Sequence, residues 1–180
     1  MWISRLFLAK FRHDNPVIQM MLMQESGFNK FEPVAKGEEK VKYYLDEGGF
    51  EPVRGHFDDA GMDLRTPEEV VLRPHDSVVI DTKVRAEIPT GFYGKLESKS
   101  GLHVKHDIVC LGGTIDASYR GTIVVKLYNL GPNLYRFNAG DKIVQMIIQP
   151  CVLEEWQRVD SLEELSTTER SEGGFGSTGR

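Results

Sequence analysis

Residues 112–121, GGTIDASYRG, place two glycines, a carboxylate, an aromatic ring and a guanidinium group around one tight reversal of the chain. Glycine lets backbone N–H and C=O groups approach a flat ligand closely, and Asp116 and Tyr119 follow the two glycines. Such a hairpin could read a base through main-chain hydrogen bonds while the carboxylate orients a water molecule. Taken alone, the segment fits a glycine-rich turn with a solvated aspartate.

Two further segments carry groups that suit phosphate. Residues 97–101, ESKSG, offer hydroxyls, an ammonium group and backbone amides in one loop, which is typical of phosphate binding. Residues 170–180, RSEGGFGSTGR, add arginine, an aromatic ring and hydroxyls on a glycine-rich backbone. By themselves, the first segment also fits an ordinary surface loop and the second a disordered tail.

The elements that must position these groups are short strands. Runs rich in Val, Ile and aromatic residues alternate with turn clusters of Gly, Pro, Asn and Asp from residue 40 onward. This spacing predicts an all-β sandwich, jelly roll or barrel. A helical turn is expected after Asp160, because Asp160 and Glu163 have the spacing of a capping box. The predicted strands are Val41–Leu45, Val70–Leu72, Ser77–Val84, Phe92–Glu97, Thr122–Tyr128, Lys142–Gln149 and Val152–Trp156.

Composition and charge exclude several classes of protein. With 40% hydrophobic and 27% charged residues the chain is typical of soluble globular proteins, and no apolar run reaches the roughly 18 residues of a membrane span. The net charge of −5 argues against broad nucleic-acid binding. Cys110 and Cys151 are too few for a disulfide framework, so a reducing, cytoplasmic location is expected. A triphosphate bound here would need local cations, a divalent metal, or both.

Five segments resemble, in order, the five motifs of the dUTP diphosphatase (dUTPase) family. They are AGMDL at 60–64, ESKSGL at 97–102, GGTIDASYRG at 112–121, GDKIVQM at 140–146 and RSEGGFGSTG at 170–179. The resemblance implies a jelly-roll-like domain, a distorted β-barrel, that forms a homotrimer with shared active sites. It also implies hydrolysis of dUTP to dUMP and pyrophosphate with Mg²⁺ as the cofactor.

The chain accordingly divides into three parts. Residues 1–38 are an N-terminal extension with no clear strand alternation, and residues 39–166 are the dUTPase-like β domain. Residues 167–180 form a flexible, glycine-rich tail. In the family this tail closes over an active site formed by other subunits.

The resemblance also implies roles for individual residues. Asp116 matches the aspartate that activates the attacking water as a general base, and Tyr119 matches the ring that packs under deoxyribose. Ser100 matches the serine beside the oxygen that bridges the α- and β-phosphates, Arg170 the arginine on the γ-phosphate, and Asp63 the aspartate that reaches the metal through water. The remaining substrate-binding residues are expected to be Lys99, Gly101, Gly113, Thr114, Ile115, Gln145, Phe175, Gly176, Ser177 and Thr178.

Two positions depart from the family pattern. Lys99 stands where the family commonly has Arg, and Lys is a point charge where Arg forms a planar, bidentate fork. We therefore expect phosphate contact with altered geometry. Cys110 stands where members often have an Asn that helps to bind uracil. Base selection is then expected to depend on the backbone around Gly113, Thr114 and Ile115, or on another side chain.

Two other functions stay open. A dCTP deaminase shares the fold and the trimeric plan, and a regulatory protein could use the nucleotide as a switch, with residues 1–38 as its arm for a partner. A zinc cytidine deaminase is excluded, because the sequence lacks its H-x-E and P-C-x-x-C signature. A metal site at His103, His106 and Cys110 is not expected, since the two histidines of an extended chain would point to opposite faces.

Overall fold

The computed structural model describes residues 40–169 and 171–173. Contacts divide the chain into two units, Met1–Lys40 and Val41–Arg180, and every element described below belongs to the second unit. None of the helices in the described residues is long and apolar enough to cross a lipid bilayer.

The described residues form a β domain with one short α-helix, α1 (Ser100–His106), and a 3₁₀-helix at Leu162–Glu164. This confirms the predicted all-β class. The strands are β1 (Lys42–Leu45), β2 (Met62–Arg65), β3 (Val70–Leu72), β4 (Ser77–Asp81), β5 (Val84–Glu87), β6 (Phe92–Glu97), β7 (Ile108–Cys110), β8 (Thr114–Ile115), β9 (Val124–Asn129), β10 (Tyr135–Phe137) and β11 (Lys142–Pro150).

Antiparallel pairing groups the strands into two sheets and two ribbons. One sheet has the order β2-β11-β6-β8 and the other the order β4-β9-β7, while β1 pairs with β5 and β10 with β3. Neighbours in the first sheet come from distant parts of the sequence, as a jelly-roll-like connectivity requires.

The core lies between the inward faces of these strands. In β9, Val125, Leu127 and Asn129 are buried and alternate with more exposed neighbours, which is the two-residue period of a strand with one face on the core. The largest fully buried apolar side chains are Phe137, Leu64, Leu72, Ile108, Ile123, Leu127, Ile143, Val84, Val125 and Val144. Removing these side chains from water supplies the main stabilisation of the domain, about 25 cal/mol per Å² of apolar surface.

Predicted and observed elements differ in extent, in existence and in capping. The run Ser77–Val84 is two strands, because Lys83 adopts a left-handed backbone (φ 62°) that interrupts the ladder. The predicted strand Val152–Trp156 is wrong, because that segment pairs with no strand of the described residues. The helical turn after Asp160 is confirmed, but its N-cap is Ser161, whose Oγ accepts a hydrogen bond from Glu163 N (3.2 Å).

Helix α1 overturns the argument about the two histidines. His103 and His106 lie three residues apart on a helix, so they are neighbours on its surface and do not point to opposite faces. The His106 ring packs on Tyr135, with ring centroids 4.6 Å apart. In the described part of the chain no group of three or more His, Cys, Asp or Glu side chains is arranged to hold a metal ion.

Candidate functional site

Three of the motif segments meet in one cleft. Strand β11 lies between β2 and β6 and places Gln145 opposite both Asp63 and Glu97, at the point where β6 runs into the loop before α1. The cleft has a volume of about 320 Å³. It is lined by Asp59, Ala60, Gly61, Asp63, Lys99, Ser100, Gly101 and Gln145. The structure thus brings together five residues that the sequence assigned to the site: Asp63, Lys99, Ser100, Gly101 and Gln145.

The Asp63 carboxylate holds two ammonium groups at the wall of the cleft. Lys99 contacts Oδ1, and the Nζ atom of Lys142 lies 2.8 Å from Oδ2. Asp63 is only 8% exposed. Burial acts to raise the pKa of Asp63, but the hydrogen bonds from Lys142 and Lys99 outweigh it and hold the pKa below its ordinary value. The carboxylate therefore stays ionised and fixes both lysines.

This arrangement does not fit a metal ion held by the protein alone. Both Asp63 oxygens are engaged by ammonium groups, and Mg²⁺ would need about six oxygen ligands in octahedral geometry. Asp59, the other carboxylate that lines the cleft, accepts a hydrogen bond from His56 N (2.8 Å). Contact between Asp63 and a metal through water stays a prediction.

Ser98 connects the cleft to the glycine turn of segment 112–121. Its carbonyl accepts a hydrogen bond from Gln145 Nε2 (3.3 Å), and its Oγ accepts one from Cys110 N (2.8 Å). The Cys110 thiol in turn donates to Gly112 O (3.2 Å). Burial, with a smaller contribution from the charge of Glu97, raises the pKa of Cys110 and keeps the S–H donor at neutral pH.

Gly113 is required by both its conformation and its packing. Its φ of 131° is disfavoured for residues with a side chain, and a Cβ placed there would lie 2.6 Å from Leu96 Cβ. Leu96 N donates to Gly113 O (2.8 Å), which fixes the turn against β6. In the structure Gly113 lies close to the neighbouring strand, and the close approach to a flat ligand stays a prediction.

Strand β8 directs backbone groups outward at the edge of its sheet. It pairs with β6 on one side and is the last strand of that sheet among the described residues. Successive residues of an antiparallel strand direct their N–H and C=O groups alternately toward and away from the partner. Because Gly113 O is bonded to β6, the N–H and C=O of Thr114 point outward, while the Ile115 side chain is buried in the core.

Asp116 and Tyr119 occupy the turn that follows β8. Asp116 O accepts a hydrogen bond from Tyr119 N (3.0 Å), and the Asp116 side chain is exposed. The Tyr119 hydroxyl donates to Thr122 O (2.9 Å), and the residue is 43% exposed. Neither residue is among those that line the cleft. The turn of segment 112–121 and the cleft are thus separate parts of the described surface.

The remaining predicted site residues are Arg170, Phe175, Gly176, Ser177 and Thr178. They lie outside the described residues, so their roles stay predictions.

Sequence reasoning missed one residue that organises the site, Lys142, and the contact that Ser98 makes. Lys142 belongs to the segment GDKIVQM, but its contact with Asp63 follows from the pairing of β11 with β2, which the sequence does not reveal. Ser98 belongs to ESKSG, and its hydroxyl was a candidate phosphate contact. In the structure its Oγ accepts a hydrogen bond from Cys110 N, and contact with phosphate stays a prediction.

The comparisons with known sequences agree with the family that the motifs indicate. The family model described as dUTPase matches residues 51–179. The deoxyuridine 5′-triphosphate nucleotidohydrolase of Candida albicans is 38% identical over 143 residues, which cover 79% of this chain and 89% of that one. The protein of the same name from Clostridium kluyveri is 42% identical over 130 residues, with coverages of 71% and 89%.

Solved structures agree as well. A mutant dUTPase of Staphylococcus bacteriophage 80alpha with dUpNHpp has a TM-score of 0.69 and 32% identity, covering 79% of this chain and all (100%) of that one. A mutant dUTPase of phage phi11 of S. aureus, described for its coordination of a structural Mg(II) ion, has a TM-score of 0.63 and 30% identity, with coverages of 69% and 99%. The five ordered motifs, the matched domain and the shared fold thus converge, and the chain belongs to the dUTPase family.

Proposed function

We propose that this protein hydrolyses dUTP to dUMP and pyrophosphate, with Asp116 as the general base. The Asp116 carboxylate takes a proton from a water molecule, whose oxygen bonds to the α-phosphorus while the bond to the bridging oxygen of the β-phosphate breaks. The observation that carries the proposal is the exposed carboxylate one residue beyond the edge strand β8. A base bound at that edge would place its nucleotide beside Asp116.

Backbone groups support selection of uracil. The outward N–H and C=O of Thr114 offer one donor and one acceptor at fixed positions, which suit an edge that alternates carbonyl and N–H groups, such as that of uracil. In a pose in which the Thr114 C=O accepts a hydrogen bond from N3–H of uracil, cytosine would present its unprotonated N3 to that carbonyl and leave it without a donor. A site built to hydrogen-bond its substrate rejects such an analogue strongly. Because Gly113 O and Gly112 O are bonded within the protein, the reading edge is held rigid before the base arrives.

Residues of the cleft support binding of the triphosphate. Lys99 would supply positive charge, Gln145 and the Gly101 amide would supply donors, and the Ser100 hydroxyl would donate to the oxygen on which leaving-group charge develops. Mg²⁺ carried by the triphosphate would neutralise phosphate charge, with phosphate oxygens and water as its main ligands. The Asp63 carboxylate keeps Lys99 at the cleft wall in the absence of nucleotide.

Exposed apolar groups support a homotrimer with shared sites. Beyond β11 the extended segment exposes Val152, Leu153 and Trp156, the last of which is 92% exposed. Large exposed apolar side chains mark surfaces that bind another protein, because their burial there removes apolar area from water. A second copy is the proposed cover, and the tail 170–179 would then reach a site that the hairpin and cleft of other copies complete.

Product analysis tests the proposal. Purified protein is incubated with Mg²⁺ and with dUTP, dCTP, dTTP or UTP separately, and the products are separated by chromatography. Only dUTP is expected to be cleaved, to dUMP and pyrophosphate. Release of ammonia from dCTP would instead identify a deaminase. Binding of dUTP without cleavage, together with loss of a captured partner on adding dUTP, would identify a nucleotide-switched regulator.

The role of Asp116 has its own test. Asp116→Asn is expected to lower kcat by roughly 10²–10⁴-fold while dUTP still binds, because the amide cannot accept the proton from water. Asp160→Asn, which removes the same charge from an exposed residue outside the cleft, is the control and should keep wild-type turnover. Near-normal turnover of Asp116→Asn would remove Asp116 from this role.

A further inference from the structure

Gly121 lies against the end of the Tyr119 side chain. A Cβ at Gly121 would overlap the hydroxyl oxygen and the adjoining ring carbon of Tyr119. The same hydroxyl donates to the carbonyl of Thr122 (2.9 Å). The tyrosine therefore folds back over its own turn and occupies space that is open only because residue 121 has no side chain.

Hydrogen bonds of the surrounding turn hold this arrangement in place. Asp116 O accepts from Tyr119 N (3.0 Å), and Arg120 Nη1 donates to the carbonyls of Ala117 (2.6 Å) and Tyr119 (2.8 Å). Arg85, which is paired with Asp46, donates to the carbonyl of Arg120 (3.0 Å). These hydrogen bonds fix the backbone under the ring. The position of the ring then depends on the space that its hydroxyl occupies beside Gly121.

We propose that Gly121 is a specificity-determining residue that sets the position of the Tyr119 ring. This inference rests on the proposed function, in which that ring packs under deoxyribose and leaves no room for a 2′-hydroxyl. The hydroxyl of Tyr119 donates to Thr122 O across Gly121, so the partly exposed ring is held in one position relative to the turn. A side chain at position 121 would lift the ring out of this position.

The structure separates this effect from a general loss of fold. Gly121 is not among the glycines with positive φ, so alanine there carries no strain of its own. The atoms that a new Cβ would displace belong to the end of a side chain that is 43% exposed. Tyr119 can therefore move toward solvent without disturbing the core, and Gly121→Ala is expected to fold.

The test compares selectivity for the sugar. The ratio of kcat/KM for dUTP to that for UTP is measured for the wild type, Gly121→Ala, Tyr119→Phe and Ser118→Ala. Gly121→Ala is expected to lower the ratio by roughly tenfold, the scale of a small steric change in a pocket. Tyr119→Phe keeps the ring and the glycine but loses the bond to Thr122, and a smaller decrease is expected. Ser118→Ala, a change in the same turn, should keep the wild-type ratio.

A double-mutant cycle distinguishes a positioning role from an independent one. If Gly121 acts through Tyr119, adding Gly121→Ala to Tyr119→Ala leaves the ratio of the single Tyr119→Ala variant unchanged. A wild-type ratio in folded Gly121→Ala, or a further decrease in the double variant, would overturn the inference.

Binding of the product nucleotides provides a readout without turnover. Titration calorimetry with dUMP and with UMP should show a preference for dUMP in the wild type and its loss in Gly121→Ala. If the wild type leaves dUTP uncleaved but prefers dUMP to UMP, and Gly121→Ala loses that preference, the proposed function fails and the inference stands. If the wild type cleaves dUTP and Gly121→Ala binds UMP no better than the wild type does, the inference alone fails.

Discussion

Replacing Asp63 by Asn removes the charge that Lys99 and Lys142 share at the wall of the cleft. The change keeps the size of the side chain but leaves two ammonium groups next to each other without a counter-charge. One amide oxygen can still accept a hydrogen bond. We expect Asp63→Asn to fold and to be less stable than the wild type at neutral pH.

The size of the effect follows from the two contacts. A hydrogen bond to a charged group contributes roughly 1.5–3 kcal/mol, so the pair sets an upper limit of about 3–6 kcal/mol. The Lys99 and Lys142 side chains are 26% and 38% exposed, so each ammonium can regain water, and solvent screening lowers the value further. A loss of about 2 kcal/mol remains, which corresponds to a decrease in Tm of roughly 4–8 °C for a chain of this size.

The effect must depend on pH with a definite sign. The pKa of folded Asp63 lies below its ordinary value of 3.8, so the carboxylate contributes stability above pH 3.8. That contribution is lost as the pH falls through the folded pKa. The Asn variant has no such group. The difference in Tm between the two proteins is therefore largest at neutral pH and shrinks below about pH 4.

Thermal unfolding followed by circular dichroism at pH 7, 5, 4 and 3 measures this difference. Protomer concentration is kept constant because assembly would shift Tm. Glu87→Gln is the matched control, since it removes one charge from an ion pair with Lys42 whose side chains are 77% and 50% exposed, and no measurable change in Tm is expected. An unchanged Tm for Asp63→Asn at pH 7, or a decrease equal to that of the control, would refute the reasoning.

Two further predictions concern the turn and the tail. Gly113→Ala should lower the free energy of unfolding by roughly 2–5 kcal/mol in urea titrations, because it adds backbone strain to a clash with Leu96. Gly112→Ala, at φ 75° but with open space around it, should cost only about 1–2 kcal/mol, and equal losses would contradict the steric account. Deleting residues 170–180 should abolish dUTP hydrolysis while gel filtration still reports about three chains; dissociation into single chains would show that the tail is structural.

The sequence predicted the family and the all-β class better than it predicted how the strands and motifs are arranged. Strands with clear alternation, such as Phe92–Glu97, were found with their bounds intact. The segment Val152–Trp156 was taken for a strand because of its Val and Trp residues, but β-propensity describes only how side chains fit a pleated surface. Propensity does not say whether a partner strand exists. Helix α1 was missed because its seven residues are too few to establish a helical period.

The contacts of Asp63 could not be predicted for a related reason. Asp63 and Lys142 are far apart in sequence, and an irregularity in the β2–β11 ladder between Lys142 and Val144 shifts the register next to their contact. A one-residue slip in register moves a side chain to the opposite face of a strand. No sequence pattern within either segment indicates that shift in register. The motifs could therefore be identified from the sequence, but the ion pair between Asp63 and Lys142 could not.

A single sheet brings together motifs that are far apart in the sequence. Segments 60–64, 140–146, 97–102 and 112–121 supply or adjoin β2, β11, β6 and β8, which is the order of the strands across the four-stranded sheet. Strand β6 is common to both halves of the site: it pairs with β11 beside the cleft and with β8 beside Asp116. Gly94 permits this double packing, because a Cβ there would lie 2.9 Å from Met146 on β11 and 3.3 Å from Ile115 on β8. The residues that would hold phosphate and the turn that would activate water are therefore positioned by opposite edges of one strand.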